Sequence, residues 1–160
     1  MTIHIHPIEK DDLSAIAAHV INLWGDTTLV AHSEVFRIQD LDGLKATHES
    51  NIVGFLHYQI CGEECEIITL ASLHEGIGIG TLLIDSVEKI ARNNRCRLLS
   101  LITTNDNLHA LGFYQRRGFY LAALFPGQIE HSRRLKQSIP SLGMGNIPIR
   151  DELRLEKILS

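Results

Sequence analysis

The chain is short of aromatic residues, which make up 6% of it with a single tryptophan, and of residues that cross-link or stiffen a backbone, with 3 cysteines and 4 prolines in 160 residues. Each scarcity excludes something. Three cysteines, Cys61, Cys65 and Cys96, are an odd number, which argues against a disulfide framework and for free thiols. Positive charge is not in excess: the formal net charge is −4 and the pI is near 6.1. That balance gives no electrostatic case for nucleic acid or an anionic membrane as partner. No apolar run approaches the roughly 18 residues that a membrane span needs. The opening segment, Met1 to Pro7, alternates like a strand and lacks the basic flank and continuous apolar stretch of a signal peptide, so a cytoplasmic location is expected. What is present is a hydrophobic fraction of 44%, enough for one compact domain over residues 1–160 with a proper core.

Periodicity supplies a coarse order of elements. Thr2 to His6 reads as a strand. Lys10 to Trp24 reads as an amphipathic helix with Leu13, Ile16, Ala17, Val20 and Trp24 on one face and Gly25 suited to end it. Asp26 to Gly43 has no sustained period and is expected to be loop, with at most a short helix. Leu44 to Thr47, Asn51 to Ile60 and Glu64 to Ser72 read as three antiparallel strands. A helix follows over Gly78 to Asn93, with Ile79, Leu82, Leu83, Val87, Ile90 and Ala91 on its buried side, and then an apolar strand over Arg97 to Thr103. A strand, helix, strand unit of this kind implies a parallel pair. Asn107 to Arg117 and Gln128 to Gln137 read as helices, and Phe119 to Phe125 and Glu152 to Leu159 as strands. The grouping His57, Cys61, Glu63, Glu64, Cys65 and Glu66 invites a metal reading. It lacks the second matched pair of a zinc site and straddles a strand-turn-strand hairpin, so a polar turn and no metal are expected.

The most informative stretch is Glu66 to Leu83, where an apolar strand runs into Gly76, Gly78 and Gly80 and then directly into a helix. Glycines let backbone N–H groups approach a ligand, and the first turn of the helix offers unpaired donors at the positive end of its dipole. The expected guest is a phosphate or pyrophosphate. A P-loop would need Gly-Lys-Ser/Thr, but Gly80 is followed by Thr81-Leu82. A dinucleotide fingerprint would need a third glycine where Leu83 stands and a carboxylate near Ser100. The remaining pattern, x-x-G-x-G before a helix with leucines on its buried face, resembles the acyl-CoA pyrophosphate loop of the GNAT superfamily of N-acetyltransferases. A second stretch, Asn107-Leu108-His109-Ala110-Leu111-Gly112-Phe113-Tyr114-Gln115-Arg116-Arg117-Gly118-Phe119, resembles the other motif of that superfamily, in the expected order and spacing. The resemblance covers most of the chain from Ile52 to Phe119, and the end of the chain resembles small bacterial-type members.

The resemblance implies an α/β (α+β) fold: a mixed, mostly antiparallel twisted sheet of about 6–7 strands with helices on both faces, splayed at a parallel pair that binds acyl-CoA. It implies acetyl transfer from acetyl-CoA directly to a primary amine of a small molecule or peptide, without a metal; a non-catalytic acyl-CoA-binding module of the same fold is the alternative. Dimerisation is common in the superfamily. Backbone groups of Leu70 and Ser72 are expected to bond the thioester carbonyl and the pantetheine arm, and Glu75, Gly76, Ile77, Gly78, Ile79, Gly80 and Thr81 to form the pyrophosphate loop. Glu75 departs from the superfamily, which usually has Arg or Gln there, and so should weaken binding. Asn107 is expected to bond the arm, and Tyr114 both to touch the cofactor and to protonate the departing thiolate, a role that suits a phenol with one proton to give. An attacking amine must first lose a proton, and Glu66, then His57, are the candidates for that base. The acceptor pocket is expected between Asp26 to Gly43 and Pro126 to Arg150, where charge alone suggests Arg133, Arg134 or Arg150 for a substrate carboxylate and Asp40 or Asp42 for its amine.

Overall fold

A computed structural model describes residues 1–160. The chain runs β1 (His4–Pro7), α1 (Leu13–Trp24), β2 (Thr28–Ala31), β3 (Glu34–Arg37), β4 (Asp42–His48), β5 (Asn51–Cys61), β6 (Glu64–Ser72), α2 (Ile79–Asn93), β7 (Leu98–Thr104), α3 (Leu108–Arg116), β8 (Tyr120–Phe125), α4 (Gln128–Leu135) and β9 (Glu152–Ile158). Seven strands form one sheet in the order β1-β4-β5-β6-β7-β9-β8, and β2 and β3 form a separate hairpin. All neighbours in the large sheet are antiparallel except β6 and β7, the pair that α2 connects.

The sheet carries a core on each face. On one side α2 lays Ile79, Leu83, Ile84, Val87 and Ala91 over Leu44, Leu56, Leu99, Leu101 and Leu155, and α3 adds Tyr114. On the other, Ile16 and Val20 of α1 pack against Phe55, Ala71 and Ile38. Alternation along β5 explains the division, since Phe55 and Leu56 are both fully buried and point to opposite faces. Of the α2 face read from the sequence, Ile79, Leu83, Val87 and Ala91 are buried, but Ile84 is buried in place of Leu82, which is 39% exposed.

Asp26 to Gly43 is not the loop or short helix that its aperiodic sequence suggests. It holds the β2-β3 hairpin, followed by a 3₁₀ turn at Ile38–Asp40. The two-residue turn is His32-Ser33, both at positive φ (41° and 63°). Such turns usually announce themselves with Asn-Gly or Asp-Gly, and this one does not. The first helix starts at Leu13 rather than Lys10, because Lys10–Asp12 form a 3₁₀ turn, and it ends as expected at Gly25 in the left-handed conformation.

Candidate active site

The parallel pair is short. β6 and β7 are in register only from Glu64↔Leu98 to Ile67↔Leu101. β6 then continues to Ser72 against β5 alone, and β7 to Thr104 against β9 alone. A register shift between His57 and Tyr58 places a bulge at Ile68. The extra residue bends β6 just where it leaves its parallel neighbour, so the facing edges of residues 68–72 and 102–104 are backbone without a strand partner. Unpaired edges of this kind accept an extended ligand as an added strand.

At the end of β6 the chain enters the glycine loop. Gly76 and Gly78 have φ near +80°, and open space lies where a side chain would be. Gly78 is the N-cap of α2, without any side-chain cap, and the first bond of the helix runs from Leu82 N–H to the Gly78 carbonyl. The N–H groups of Ile79, Gly80 and Thr81 therefore face outward at the positive end of a 15-residue helix. Gly80 is needed for a different reason: a Cβ there would lie 3.0 Å from the Phe113 ring. The close approach brings Arg117 over Phe113, 3.5 Å from the ring centroid, with its Nε donating to Thr81 Oγ1 at 3.0 Å. This places a cation beside the loop, a contribution the sequence reading missed because Arg117 lies at the far end of the second motif. Glu75 is exposed.

The gap opens into a cavity of about 790 Å³. Leu70, Asn107 and Tyr114 line it together. Asn107 caps α3 by accepting the Ala110 N–H at 3.2 Å, which leaves its amide nitrogen free. Tyr114 is 7% exposed, held edge-on between Phe113 and Phe119, and burial pushes its phenol well above the ordinary value. It is fully protonated at neutral pH. Ser72 is exposed and turns its hydroxyl to the His74 carbonyl at 2.9 Å.

Glu66 and His57 do not line this cavity. Glu66 is buried beside it, accepting from Gln59 Nε2 at 3.2 Å, with the imidazole of His32 at 2.8 Å. His57 is 1% exposed, with Nδ1 at 2.6 Å from Thr69 Oγ1 and Nε2 unpartnered, and burial lowers its pKa to about 4. It is neutral at physiological pH and lies behind Thr69, which does line the cavity. Two carboxylates line the cavity, Asp106 and Glu152, and Glu152 is the first residue of β9, paired across to Thr104 and Phe125. It is 2% exposed and accepts the His32 N–H at 3.0 Å, and burial raises its pKa. No sequence pattern marks Glu152; only the pairing of distant strands brings it here.

The charges proposed for the acceptor from sequence are elsewhere. Arg133 donates to the carbonyls of Pro140 and Ile149, Arg134 is exposed, and Arg150 is exposed beside Asp151. None of the three arginines lines the cavity, and neither does Asp40 or Asp42. The segments do line it, through Leu29, Phe36, Ile129 and Ile149.

A family model described as Acetyltransferase (GNAT) family matches residues 13–119. The uncharacterized protein YdhI of Bacillus subtilis (strain 168) is 45% identical over 137 residues, which are 85% of this chain and 86% of that protein. The fold is shared with the IAA acetyltransferase from Bacillus cereus ATCC 14579, at a TM-score of 0.72 and 19% identity over 99% of this chain and 100% of that one. It is also shared with a GNAT family acetyltransferase from Elizabethkingia anophelis with acetyl-CoA bound, at 0.70 and 21% over 98% of each. Both motifs read from the sequence fall inside the matched residues, and the chain belongs to the acetyltransferase (GNAT) family.

Proposed function

We propose that the protein transfers the acetyl group of acetyl-CoA directly to a primary amine, with both substrates bound at once. The observation that carries this reading is the continuity of the glycine loop, the unpaired strand edges and the Tyr114 cavity. The residues fit the cosubstrate. The outward N–H groups of Ile79 to Thr81, with Gly76, Ile77 and Gly78 before them and Arg117 alongside, suit a pyrophosphate. The edges of β6 and β7, with the free amide of Asn107, suit a pantetheine arm.

Acetyl-CoA supplies an acetyl group already activated as a thioester. In this reading the backbone N–H of Leu70 at the bulged edge donates to the thioester oxygen, stabilising the charge that builds there as the amine attacks. Tyr114 gives its proton to the departing thiolate. Glu66 is a positioning residue: it holds the His32 imidazole, and the His32 N–H holds Glu152. His57 supports Thr69 in the cavity wall. A covalent acetyl-enzyme is disfavoured because Cys65 and Cys96 are buried, the Cys65 thiol is pushed up to about 12, and the exposed Cys61 does not line the Tyr114 cavity.

Calorimetric titration with acetyl-CoA, CoA and NAD tests the first half of this reading. Saturable binding of the first two without NAD is expected, and absence of acetyl-CoA binding at millimolar ligand would overturn it. Tyr114→Phe should lower turnover at least about tenfold with little change in acetyl-CoA affinity. Binding without release of CoA in the presence of any amine would favour a non-catalytic acyl-CoA-binding module.

A further inference from the structure

The acceptor half of the cavity is apolar apart from a few groups, and those groups restrict what can enter. Of the 28 residues that line the whole cavity 17 are hydrophobic, and the charged ones are Asp106, Lys136 and Glu152. Two of these are engaged with the chain. Asp106 accepts from the Thr104 hydroxyl at 2.5 Å and from the Met144 N–H at 3.1 Å, and Lys136 donates to the carbonyls of Trp24 and Thr28 at 3.1 and 3.0 Å. Glu152 is different. Its two oxygens share the single N–H of His32, at 3.0 and 3.3 Å, which leaves most of its acceptor capacity unfilled in a buried position.

A buried carboxylate with spare lone pairs calls for a cation. The rest of the compartment, including Trp24, Leu29, Phe36 and Ile129, is apolar; its cation, Lys136, has two of its three N–H donors committed to backbone carbonyls, and its other anion, Asp106, already accepts one bond on each oxygen. The turn that orients Glu152 is also strained, since His32 and Ser33 both adopt left-handed backbone. It is held there by the bonds of His32 to Glu152 and Glu66, and by that of Gln128 to the Ser33 hydroxyl. Strain kept in place by surrounding contacts is common where geometry serves a site.

We infer that the acceptor is an apolar primary monoamine of the arylalkylamine kind, its ammonium seated on Glu152 and its hydrocarbon body among Trp24, Leu29, Phe36 and Ile129. This rests on the acetyltransferase reading and narrows it. In the reaction Glu152 takes one proton from the ammonium. The freed nitrogen bonds to the acetyl carbon, and the carbon–sulfur bond breaks with its electron pair on sulfur. Tyr114 protonates the thiolate and takes back the second proton shed by the nitrogen. The products are the amide and CoA, and the proton on Glu152 leaves to solvent.

The test measures CoA release with 2-phenylethylamine, phenylalanine, spermidine and a short peptide with a free N-terminus. The expected result is a kcat/KM for 2-phenylethylamine at least about 100-fold above that for phenylalanine, which differs by one carboxylate. Glu152→Gln keeps the shape and should lower kcat/KM for the amine by about 100-fold or more, leave acetyl-CoA affinity unchanged, and flatten the rise of kcat with pH. Retained amine kcat/KM in Glu152→Gln, or preference for phenylalanine, spermidine or the peptide, would overturn the inference while leaving acetyl transfer intact. The same holds if acetyl-CoA binds but 2-phenylethylamine is not turned over. Failure of acetyl-CoA to bind at all would instead remove the acetyltransferase reading beneath it.

Discussion

At the scale of single residues, Glu75 stands out as the one departure visible in the glycine loop, and its exposure sets how much the departure matters. A carboxylate a few ångströms from a pyrophosphate in water repels it by about 1 kcal/mol, whereas a buried one would abolish binding. Glu75→Gln should therefore lower the Kd for acetyl-CoA about fivefold at low salt, with the gain shrinking in 0.5 M salt. An unchanged or higher Kd by calorimetry would remove Glu75 from the account. His57 gives a second prediction, with the sign set by burial. Desolvation lowers its pKa in the folded state to about 4, from the 6.5 of an unperturbed imidazole. The folded chain thus binds fewer protons than the unfolded one, so the contribution to stability is present above about pH 6.5 and is lost as pH falls towards 4. Its size is on the order of 3 kcal/mol. Urea midpoints measured from pH 7 to 4 should fall more steeply for the wild type than for His57→Gln, and parallel curves would remove His57 from the acid response. Tyr114 and Asn107 were legible in the sequence because they sit in a local motif. Glu152 was not, since its meaning depends on strands 48 positions apart, Thr104 and Glu152, lying side by side.

Among the elements, α2 decides the quality of the proposed phosphate site, because that site would be its own first turn. Its position over the sheet depends on Gly54 in β5, where a Cβ would lie 2.5 Å from Ile79 Cγ2 and 2.8 Å from the Ala71 carbonyl. One contact is with a side chain at the start of α2 and the other with backbone, so relief requires the helix terminus to lift. Gly54→Ala should cost about 1–3 kcal/mol of stability, the range seen for overpacked cores. It should also weaken acetyl-CoA binding, by displacing the loop. Urea unfolding and calorimetry read the two effects separately, and wild-type values in both would mean that α2 is seated by other contacts. The helices and central strands could be read from periodicity, because each buries one face against the sheet. The β2-β3 hairpin escaped because its four-residue strands are half-exposed and its turn uses His32-Ser33 in place of a residue pair that favours positive φ. What holds that turn is tertiary, through Glu152 and Glu66, and no local pattern reveals it.

On the scale of the whole molecule, the sheet is two halves, β1-β4-β5-β6 and β7-β9-β8, joined along four residue pairs from Glu64↔Leu98 to Ile67↔Leu101. The parallel junction could be inferred from a strand, helix, strand order, but the insertion of the last strand, β9, between β7 and β8 could not. That insertion is what carries Glu152 to the mouth of the gap. Beyond the junction the halves are held by the core beneath them, where Leu56 and Ile67 meet Leu99, Leu101 and Leu155. An arm bound between the edges would complete the sheet. Amide exchange should then slow on adding CoA at residues 68–72 and 102–104 together, because the ligand would supply partners to both edges at once. The same linkage sets the thermal response. With ligand at about 1,000 times its Kd the folded state gains about 4 kcal/mol, which for a chain of this length is a rise in Tm of about 10 °C. Protection confined to the glycine loop, with residues 68–72 and 102–104 exchanging as in the free protein, would mean that only the phosphates are held and that the gap is not where the arm lies. Protection of both edges with the expected shift in Tm would make the split between β6 and β7 the structural basis of cosubstrate binding, and would place the reacting carbonyl against Leu70 with Tyr114 and Glu152 on the same cavity.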